Sequence, residues 1–329
     1  MPRTSPHASN DSKILEQHKT AAVVGAGVIG ISWTALFLAH GLRVRVYDPR
    51  PDLESAIAKG VQQAAATLKS IGLPADDLTR NLSLQADLAR AVEGADVIQE
   101  NGTEDLPTKQ KIFAELERHA PAHALLLSSS STLRATDIGR EMRDASRMLI
   151  GHPFNPPHLV PLVEVVPGER THPDAVARAV AFYTALGKKP TVLRKEIAGF
   201  VANRLQAVLL GECIYLVSMG VVTEEELDDI VTNSIGLRWA AAGPFHSFHL
   251  GGGPGGLRHF LQHIGPPFER IWKQSGDAVL DEPTMKLLSE QAESAFGSRS
   301  HEEMGSTRDR NQLAILKALR ETAQAAAKD

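Results

Sequence analysis

The chain has 329 residues, of which 43% are hydrophobic and 22% charged, and this composition is typical of a globular protein large enough for two domains. Its net charge of -4 at pH 7 and its scattered arginines argue against nucleic acid or an anionic membrane as a partner. No run approaches the roughly 20 apolar residues that cross a bilayer, and the N-terminal segment lacks the apolar core of a secretion signal. We therefore predict a cytoplasmic protein that acts on a small molecule.

Residues 1 to 18 are predicted to form a flexible lead, and regular structure begins with the apolar run TAAVVGAGVIG. From there, β-rich runs alternate with segments of helical periodicity that end in glycine or proline. This alternation indicates an α/β domain with a mainly parallel sheet and helices on both faces, and we predict that it spans residues 19 to 197. The predicted strands are AAVVG, RVRVYD, ADVIQE, ALLLSS, RMLIGH, LVEVV and PTVLR.

The remainder of the chain, residues 198 to 329, is predicted to be an all-helical domain. GFVANRLQAVLLGECIYLVSMG is apolar at helical spacing, and TEEELDDIVTN begins with a threonine cap and an acidic first turn. A last helix is predicted from about Thr307, and its alanine-rich end either packs on a partner subunit or frays. Cys213 is the only cysteine of the chain, and in its apolar helix we predict a buried structural thiol rather than a nucleophile.

A glycine-rich turn, VVGAGVIG, joins the first predicted strand to the first helix. Gly25 allows a tight turn, Gly27 lets backbone N–H groups approach a pyrophosphate, and Gly30 lets the helix pack closely on the strand. Asp48 ends the second strand about twenty residues later, where a carboxylate accepts hydrogen bonds from the adenosine ribose. The pattern predicts a Rossmann-type domain that binds NAD. The carboxylate of Asp48 disfavours the 2′-phosphate of NADP, although Arg50 leaves the strictness of that preference open.

GHPFNPP places His152 at the start of a proline-rich turn, and Glu164 follows in the strand-like run LVEVV. If the turn folds the two flanking strands together, the carboxylate meets the imidazole, and a histidine held in this way can serve as a general base. From spacing alone, the alternative is that His152 bonds to backbone in the turn and that Glu164 is a surface charge.

Seven motifs together make the chain similar to the L-3-hydroxyacyl-CoA dehydrogenase superfamily over roughly residues 19 to 270. Within it, the chain is more similar to the L-gulonate 3-dehydrogenase (lambda-crystallin) and L-carnitine dehydrogenase branches. The resemblance implies an NAD-dependent dehydrogenase of a small L-3-hydroxy carboxylic acid, with its substrate between the two domains and a helical domain that pairs subunits into a homodimer. The motifs are GAGVIG, ENGTEDLPTKQKIF, LSSSSTL, GHPFNPP, LVEVVPG, KEIAGFVANRLQ and GLRWAAAGP.

The same resemblance implies roles for individual residues. It makes His152 the catalytic base and Glu164 its carboxylate partner. Ser131 and Asn203 are implied to polarise the developing carbonyl, although from the residues alone they would be an ordinary loop hydroxyl and a helix-tying amide. The positions implied to line the nicotinamide and ribose are Glu104, Lys109 and Asn155.

The substrate is expected to carry a free carboxylate rather than CoA. The segment after the second strand carries only Lys59 and Lys69, and a CoA ester with its phosphates would need more positive charge. Ser129 and Pro153 also depart from the acyl-CoA enzymes and agree with the gulonate and carnitine branches. Arg238 in GLRWA is the predicted carboxylate clamp, and a surface arginine is the alternative.

The stretch GPFHSFHLGGGPGGLRHFLQHIGP resembles the carnitine branch more than the gulonate branch. Trp239, Phe245 and Phe248 are predicted to contact a quaternary ammonium by cation–π attraction, worth ~0.5 to 2 kcal/mol per contact, with an aromatic core as the alternative. The other functions left open are a 3-hydroxyacyl-CoA dehydrogenase, a keto-ester reductase and an NAD(H)-binding structural protein of the crystallin kind. No metal is predicted, because a tetrahedral ligand pattern is lacking at His246, His249, His259 and His263.

Overall fold

A computed structural model describes residues 13–326, and the chain forms two compact units, Met1–Val201 and Ala202–Asp329. The described part of the first helix, α1, is residues 13–17, and Leu15 packs against the core of the first unit. Residues 13–18 thus differ from the flexible lead that the sequence predicts, because an apolar side chain anchors them. The rest of that lead, residues 1–12, lies outside the described residues.

The first unit contains a mainly parallel sheet that has eight strands in residues 13–326. Its order is β3-β2-β1-β4-β5-β6-β7-β8, and only β6 and β7 pair in antiparallel fashion. The seven predicted strands are all present, and the eighth, β3, is a three-residue strand at the sheet edge. The strands are β1 (Thr20–Val24), β2 (Arg43–Tyr47), β3 (Leu82–Leu84), β4 (Val97–Glu100), β5 (Leu125–Ser128), β6 (Met148–Pro153), β7 (Leu162–Pro167) and β8 (Lys189–Val192).

Helices cover both faces of this sheet, as the alternating pattern predicts. Side chains of a strand alternate between the two faces, so Val23 of β1 packs in one apolar cluster and Val24 in the other. The first cluster includes Trp33 and Phe37, and the second includes Phe113, so each face has its own core. The helices are α2 (Val28–Ala39), α3 (Leu53–Ser70), α4 (Leu88–Val92), α5 (Leu106–His119), α6 (Ala135–Ile138) and α7 (Pro173–Ala185).

A turn at residues 154–161 joins the antiparallel strands β6 and β7. Lys188, which lies just before β8, holds this turn, because its buried ammonium donates hydrogen bonds to the backbone carbonyls of Pro157 and Val160. The ring of Trp33 lies 5.7 Å from the Lys188 nitrogen. Lys188 therefore fixes the segment that follows the end of β6.

The buried Lys188 should make the stability of the protein depend on pH. Burial lowers the pKa of Lys188 from 10.5 to about 7. Between these two values the unfolded chain binds a proton that the folded chain does not, so the free energy of unfolding rises with pH, by at most about 1.4 kcal/mol per pH unit. Urea denaturation of the native protein and of Lys188→Met at pH 7, 8 and 9 measures this rise.

We expect the difference between the two curves to grow with pH, because Lys188→Met lacks the titrating group. Lys189→Met removes an exposed neighbouring lysine and should follow the native curve. Parallel curves for the native protein and Lys188→Met would contradict the prediction.

The regular secondary structure of the second unit consists of helices alone in its described residues, as predicted. A reciprocal hydrogen-bond pair between Thr223 and Glu226 caps the start of its second helix. Ser300 and Glu303 form the same arrangement before the last helix, which therefore begins six residues before the predicted Thr307. The helices are α8 (Ala202–Ser218), α9 (Glu224–Thr232), α10 (Ile235–Gly251), α11 (Gly256–His263), α12 (Gly265–Trp272), α13 (Glu282–Phe296) and α14 (His301–Ala326).

The helical unit leaves many apolar side chains in contact with solvent. On α8, most of whose residues are apolar, Leu205 is 65% exposed and Val208 is 76% exposed. Cys213 on the same helix is half-buried rather than buried, which corrects the prediction, and its partial burial raises the pKa of the thiol. Across residues 13–326, no helix combines the length and apolarity that a membrane span requires.

Candidate functional site

The glycine-rich turn between β1 and α2 has the close contacts that its sequence predicts. Gly25 has a φ of +93°, and a Cβ atom there would lie 2.7 Å from the backbone carbon of Asn101. A Cβ atom on Gly30 would lie 1.9 Å from the carbonyl oxygen of Gly25. Gly27, in contrast, precedes α2 with open space around its Cβ position, and no side chain caps this helix. The N-terminus of α2 is therefore accessible to a ligand from outside the turn.

The carboxylate of Asp48 lies beside this turn. One of its oxygens accepts a hydrogen bond from the backbone N–H of Ala26 at 2.6 Å, and the other accepts from the N–H of Arg50 at 2.9 Å. The guanidinium of Arg50 pairs with Asp52 through two contacts of 2.7 and 2.8 Å. Asp48 is thus the acidic group next to the glycines, while the charge of Arg50 is engaged by another carboxylate.

His152 and Glu164 lie opposite each other in the antiparallel register of β6 and β7. The Nδ1 atom of His152 lies 2.9 Å from Oε2 of Glu164, and both side chains are less than 5% exposed. The glutamate therefore meets the imidazole, as the folding of the turn predicts, and it is not a surface charge. Because a carboxylate accepts hydrogen bonds, Nδ1 carries the proton in this pair and Nε2 is left to act as a base.

Two aromatic rings enclose the imidazole of His152. The ring centroid of Phe154 lies 5.1 Å from that of His152 in an edge arrangement, and the centroid of Phe200 lies at 5.4 Å. The second oxygen of Glu164 accepts a hydrogen bond from the backbone N–H of Val201 at 3.0 Å. Burial of this kind strengthens the interaction between the carboxylate and the imidazole relative to the same contact in water.

A buried ion pair at the end of β4 supports the neighbouring loop. The Nζ atom of Lys109 lies 2.8 and 3.0 Å from the two carboxylate oxygens of Glu100. Glu100 also accepts hydrogen bonds from the hydroxyl of Ser128 and the N–H of Gly102, both at 2.6 Å. Glu100 was not predicted as a site residue from the sequence. The sequence feature that could have indicated this residue is its charge at the end of an apolar strand, because a carboxylate buried there needs a cation as its partner.

Glu104 holds the serine-rich segment that follows β5. One oxygen of its carboxylate accepts from the Ser130 hydroxyl and from the backbone N–H groups of Ser131 and Thr132, at 2.6 to 2.9 Å. Partial burial raises the pKa of Glu104, but hydrogen bonds from Ser130 and Thr132 and the charge of Lys109 outweigh it and lower that pKa below its usual value. Glu104, Lys109 and Ser131 therefore lie close together in the first unit.

A second buried network, also missed by the sequence analysis, ties the strands behind His152. The amide of Gln99 accepts from the hydroxyl of Tyr183 at 2.7 Å and donates to the hydroxyl of Ser129 at 2.8 Å. It also lies 3.4 Å from the carbonyl of Gly151, the residue before His152, and burial raises the pKa of Tyr183. The sequence feature that could have predicted this network is the presence of polar residues at the carboxyl ends of adjacent predicted strands.

The remaining predicted site residues are dispersed over both units. Asn155 is exposed in the turn after β6, and Asn203 is half-buried near the start of α8. Arg238 is exposed on α10.

The three predicted aromatic residues all lie on α10 but differ in their surroundings. Phe245 is 77% exposed and Trp239 is 39% exposed. Phe248 instead stacks on Phe260 with ring centroids 4.7 Å apart, and it meets the edge of Phe268 at 5.7 Å. Phe248 is thus part of an aromatic cluster within the helical unit, whereas the other two present free ring surface.

The four histidines of this region do not assemble into a cluster. The rings of His259 and His263 stack with centroids 4.1 Å apart, and His249 accepts a hydrogen bond from the N–H of Leu257. In the described part of the chain, no three His, Cys, Asp or Glu side chains are grouped as ligands for a metal ion.

Two family models match the chain in succession. The 3-hydroxyacyl-CoA dehydrogenase NAD binding domain matches residues 20–197, and the 3-hydroxyacyl-CoA dehydrogenase C-terminal domain matches residues 199–281.

Individual relatives cover almost the whole chain. An L-carnitine dehydrogenase of Streptomyces coelicolor is 39% identical over 303 residues, which are 92% of this chain and 95% of that protein. A 3-hydroxyacyl-CoA dehydrogenase of Gibberella moniliformis is 39% identical over 312 residues, with coverage of 92% and 95%. Among solved structures, 5-formyl-3-hydroxy-2-methylpyridine 4-carboxylic acid 5-dehydrogenase, described as an NAD+-dependent dismutase, shares the fold. It has a TM-score of 0.78 at 24% identity and covers 92% of this chain and 98% of that one.

The residues around the glycine turn fit NAD. The open N-terminus of α2 at Gly27 suits the negative pyrophosphate, because the first turn of a helix presents backbone N–H groups and partial positive charge. The close packing at Gly25 and Gly30 leaves room only for glycine in the turn itself. The carboxylate of Asp48 stands at the end of β2, where ribose hydroxyls would donate to it.

Replacing Asp48 with asparagine should weaken NADH binding roughly 10- to 100-fold, because a hydrogen bond to a charged acceptor is worth about 1.5 to 3 kcal/mol. The same change should narrow the preference for NADH over NADPH, since it removes the negative charge that repels the 2′-phosphate. Fluorescence titration of both nucleotides measures these affinities.

Asp52→Asn is the matched control, because Asp52 is a nearby exposed carboxylate that contacts Arg50 instead of the turn. It should leave the affinity for NADH unchanged. An unchanged affinity in Asp48→Asn would show that this carboxylate does not bind the ribose.

Proposed function

Since the chain belongs to the 3-hydroxyacyl-CoA dehydrogenase family, we propose that it oxidises a small L-3-hydroxy carboxylic acid of the carnitine type with His152 as the base. It is an NAD-dependent oxidoreductase that acts on a CH–OH group, and its relatives over nearly the whole chain include L-carnitine dehydrogenases. The observation that supports the proposed base most strongly is the buried contact of 2.9 Å between His152 and Glu164.

The proton of the substrate hydroxyl passes to Nε2 of His152, because Nδ1 already donates to Glu164. The carboxylate of Glu164 keeps this orientation and stabilises the imidazolium that forms. The chemistry that NAD would supply when bound is acceptance of a hydride from the hydroxyl-bearing carbon, which would become the carbon of a ketone. Because oxidation releases a proton, it is favoured as pH rises, and ketone reduction is favoured as pH falls.

Other site residues keep the roles that the family resemblance implies, as parts of this proposal. Ser131 and Asn203 donate hydrogen bonds to the oxygen that becomes the carbonyl. The hydrogen bond from the Ser131 N–H to Glu104 supports this role, because it orients the serine segment. Residues proposed to hold the cofactor are Gly25, Gly27, Gly30, Asp48, Glu104, Lys109 and Asn155.

The proposed recognition of a carnitine-type substrate uses two features of α10. Arg238 pairs with the free carboxylate, since a guanidinium matches a carboxylate in two parallel hydrogen bonds. Trp239, Phe245 and Phe248 offer ring faces to the quaternary ammonium. The exposed ring surface of Trp239 and Phe245 supports this role, whereas the packing of Phe248 on Phe260 gives it a structural role as well.

We further propose a homodimer in the cytoplasm, with an NAD-binding domain at residues 19–197 and a substrate and dimerisation domain at residues 198–329. The exposed apolar side chains of the helical unit support the dimer, because a monomer rarely leaves such a surface in water. The division of the chain after Val201 lies close to the proposed boundary.

The experiment that tests the proposed function is a comparison of substrates at pH about 9, above the usual histidine pKa. Formation of NADH is followed with L-carnitine, L-gulonate, L-3-hydroxybutyrate and the CoA thioester of L-3-hydroxybutyrate. We expect the highest kcat/KM with L-carnitine. His152→Gln run in parallel identifies turnover that depends on the proposed base.

Each other result selects a different function. Preference for the CoA thioester would assign a 3-hydroxyacyl-CoA dehydrogenase. Preference for gulonate or hydroxybutyrate would mean that the three aromatic residues of α10 do not bind a quaternary ammonium. Binding of NADH without turnover of any 3-hydroxy or 3-keto acid or ester would indicate an NAD(H)-binding structural protein.

A further inference from the structure

The segment that leads to the end of the first unit has left-handed backbone at two successive residues. Gly199 has a φ of 73°, and Phe200 has a φ of 49°. Glycine adopts this conformation readily, but a bulky side chain does so only where its surroundings require it. Such backbone tends to occur at functional sites, so the surroundings of Phe200 indicate what requires it.

The side chain of Phe200 covers the proposed catalytic histidine. Phe200 is 0% exposed, and its ring centroid lies 5.4 Å from that of His152 at an interplanar angle of 52°. Phe154 meets the same imidazole edge-on at 5.1 Å. Phe200 thus contributes an apolar surface against His152 and helps to exclude water from it.

The backbone after Phe200 holds the partner of that histidine. The N–H of Val201 donates to Oε1 of Glu164 at 3.0 Å, while Oε2 of the same carboxylate meets Nδ1 of His152 at 2.9 Å. Each oxygen of Glu164 is therefore fixed by a different group. A residue with ordinary helical or extended backbone at position 200 would direct the next N–H elsewhere, because φ and ψ together set the orientation of the following peptide.

We propose that Phe200 is a positioning residue for the pair of His152 and Glu164. Its left-handed backbone directs the N–H of Val201 to the carboxylate, and its ring shields the imidazole. Together they keep the proton on Nδ1 and leave Nε2 as the atom that takes the substrate proton. The inference rests on the proposed function, in which His152 is the base.

A double-mutant cycle with Glu164 separates positioning from ordinary packing. Phe200→Leu keeps an apolar side chain and removes the ring, and we expect kcat to fall about tenfold with KM and the Kd of NADH unchanged, because a small misplacement of a catalytic group is costly. In the Glu164→Gln background the same change should alter kcat by less than about twofold, since the orientation of the pair is already lost.

Phe113→Leu is the matched control. Phe113 is also 0% exposed and belongs to the same apolar cluster as Phe200, but it lies on α5 away from His152. It should lower the melting temperature by a similar amount and leave kcat unchanged. If Phe200→Leu fails to fold, Phe200→Met replaces it in the cycle, because the longer, unbranched side chain of methionine adapts to the space that the ring leaves.

Equal losses of kcat in both backgrounds would overturn the inference and make Phe200 an ordinary core residue. That result differs from failure of the proposed function, in which Glu164→Gln alone would leave kcat unchanged.

A second readout uses the protein without substrate. With 15N-labelled histidine, the Nδ1 proton of His152 gives a proton resonance that is assigned by its loss in His152→Gln. We expect this proton to exchange with water faster in Phe200→Leu than in the native protein and in Phe113→Leu. Equal exchange in all three proteins would contradict the shielding role of the ring.

Discussion

Replacing His152 with glutamine should lower kcat for substrate oxidation by about a hundredfold to ten-thousandfold, the usual contribution of a general base. Glutamine has a similar size and can still donate a hydrogen bond to Glu164, so the pair of strands keeps its register. The glutamine side chain cannot accept the substrate proton at the position of Nε2, and activity is lost for this reason. Steady-state kinetics measures kcat, and fluorescence titration should show unchanged NADH binding.

His123→Gln is the control for this substitution. His123 belongs to the same unit but is 60% exposed and pairs with Asp96 at the surface. Its replacement should leave kcat at the native value. If His152→Gln retained more than half of the native kcat, another group would have to be the base.

Replacing Lys109 with methionine should lower the free energy of unfolding by about 3–5 kcal/mol, the cost of breaking a buried ion pair by removing one partner. Glu100 is 0% exposed, and its carboxylate would lose the only cation within reach among the described residues. The hydrogen bonds from Ser128 and Gly102 remain but do not neutralise the charge. Urea denaturation of the protein without NAD measures this loss.

The source of the loss is identified by a second substitution. Adding Glu100→Leu to Lys109→Met should restore part of the stability, because an apolar pair no longer buries an unpaired charge. Lys111→Met removes an exposed lysine of the same helix and should change stability by less than about 0.5 kcal/mol. A double variant less stable than Lys109→Met would contradict the assignment to the buried carboxylate.

The order of the helices and strands was predictable from the spacing of apolar residues, because most of these elements bury at least one face and burial imposes that spacing. Most of the seven predicted strands are apolar or alternating runs separated by helical segments, β6 and β7 are separated by a proline-rich turn instead, and each strand is present. The three-residue strand β3 is too short to show a period, and its pairing with β2 is a tertiary contact. The start of α14 was predictable, because Ser300 and Glu303 have the spacing of a capping box, but apolar periodicity begins only later in that helix.

The candidate site was predictable where its residues are close in sequence. His152 and Glu164 are joined by one hairpin, so the sequence indicated a contact between them but left open the alternative of a surface glutamate. Lys188 and Val201 contact the same region from other parts of the chain. Lys188 donates a hydrogen bond to a backbone carbonyl, and Val201 donates from its own backbone N–H, so neither contact leaves a pattern in the sequence. Arg238 was predicted as the carboxylate clamp from its place in GLRWA, and this role stays a prediction.

The antiparallel pairing of β6 and β7 also limits how the length of this protein can vary. Side chains alternate along a strand, so a shift of one residue in the register would turn Glu164 to the opposite face of the sheet and bring a neighbouring valine opposite His152. Insertions in most surface loops cost little, because loop closure depends weakly on length. In the turn at residues 154–161, an added or deleted residue that is taken up by a shift of this register would separate base from carboxylate while leaving both in the sequence.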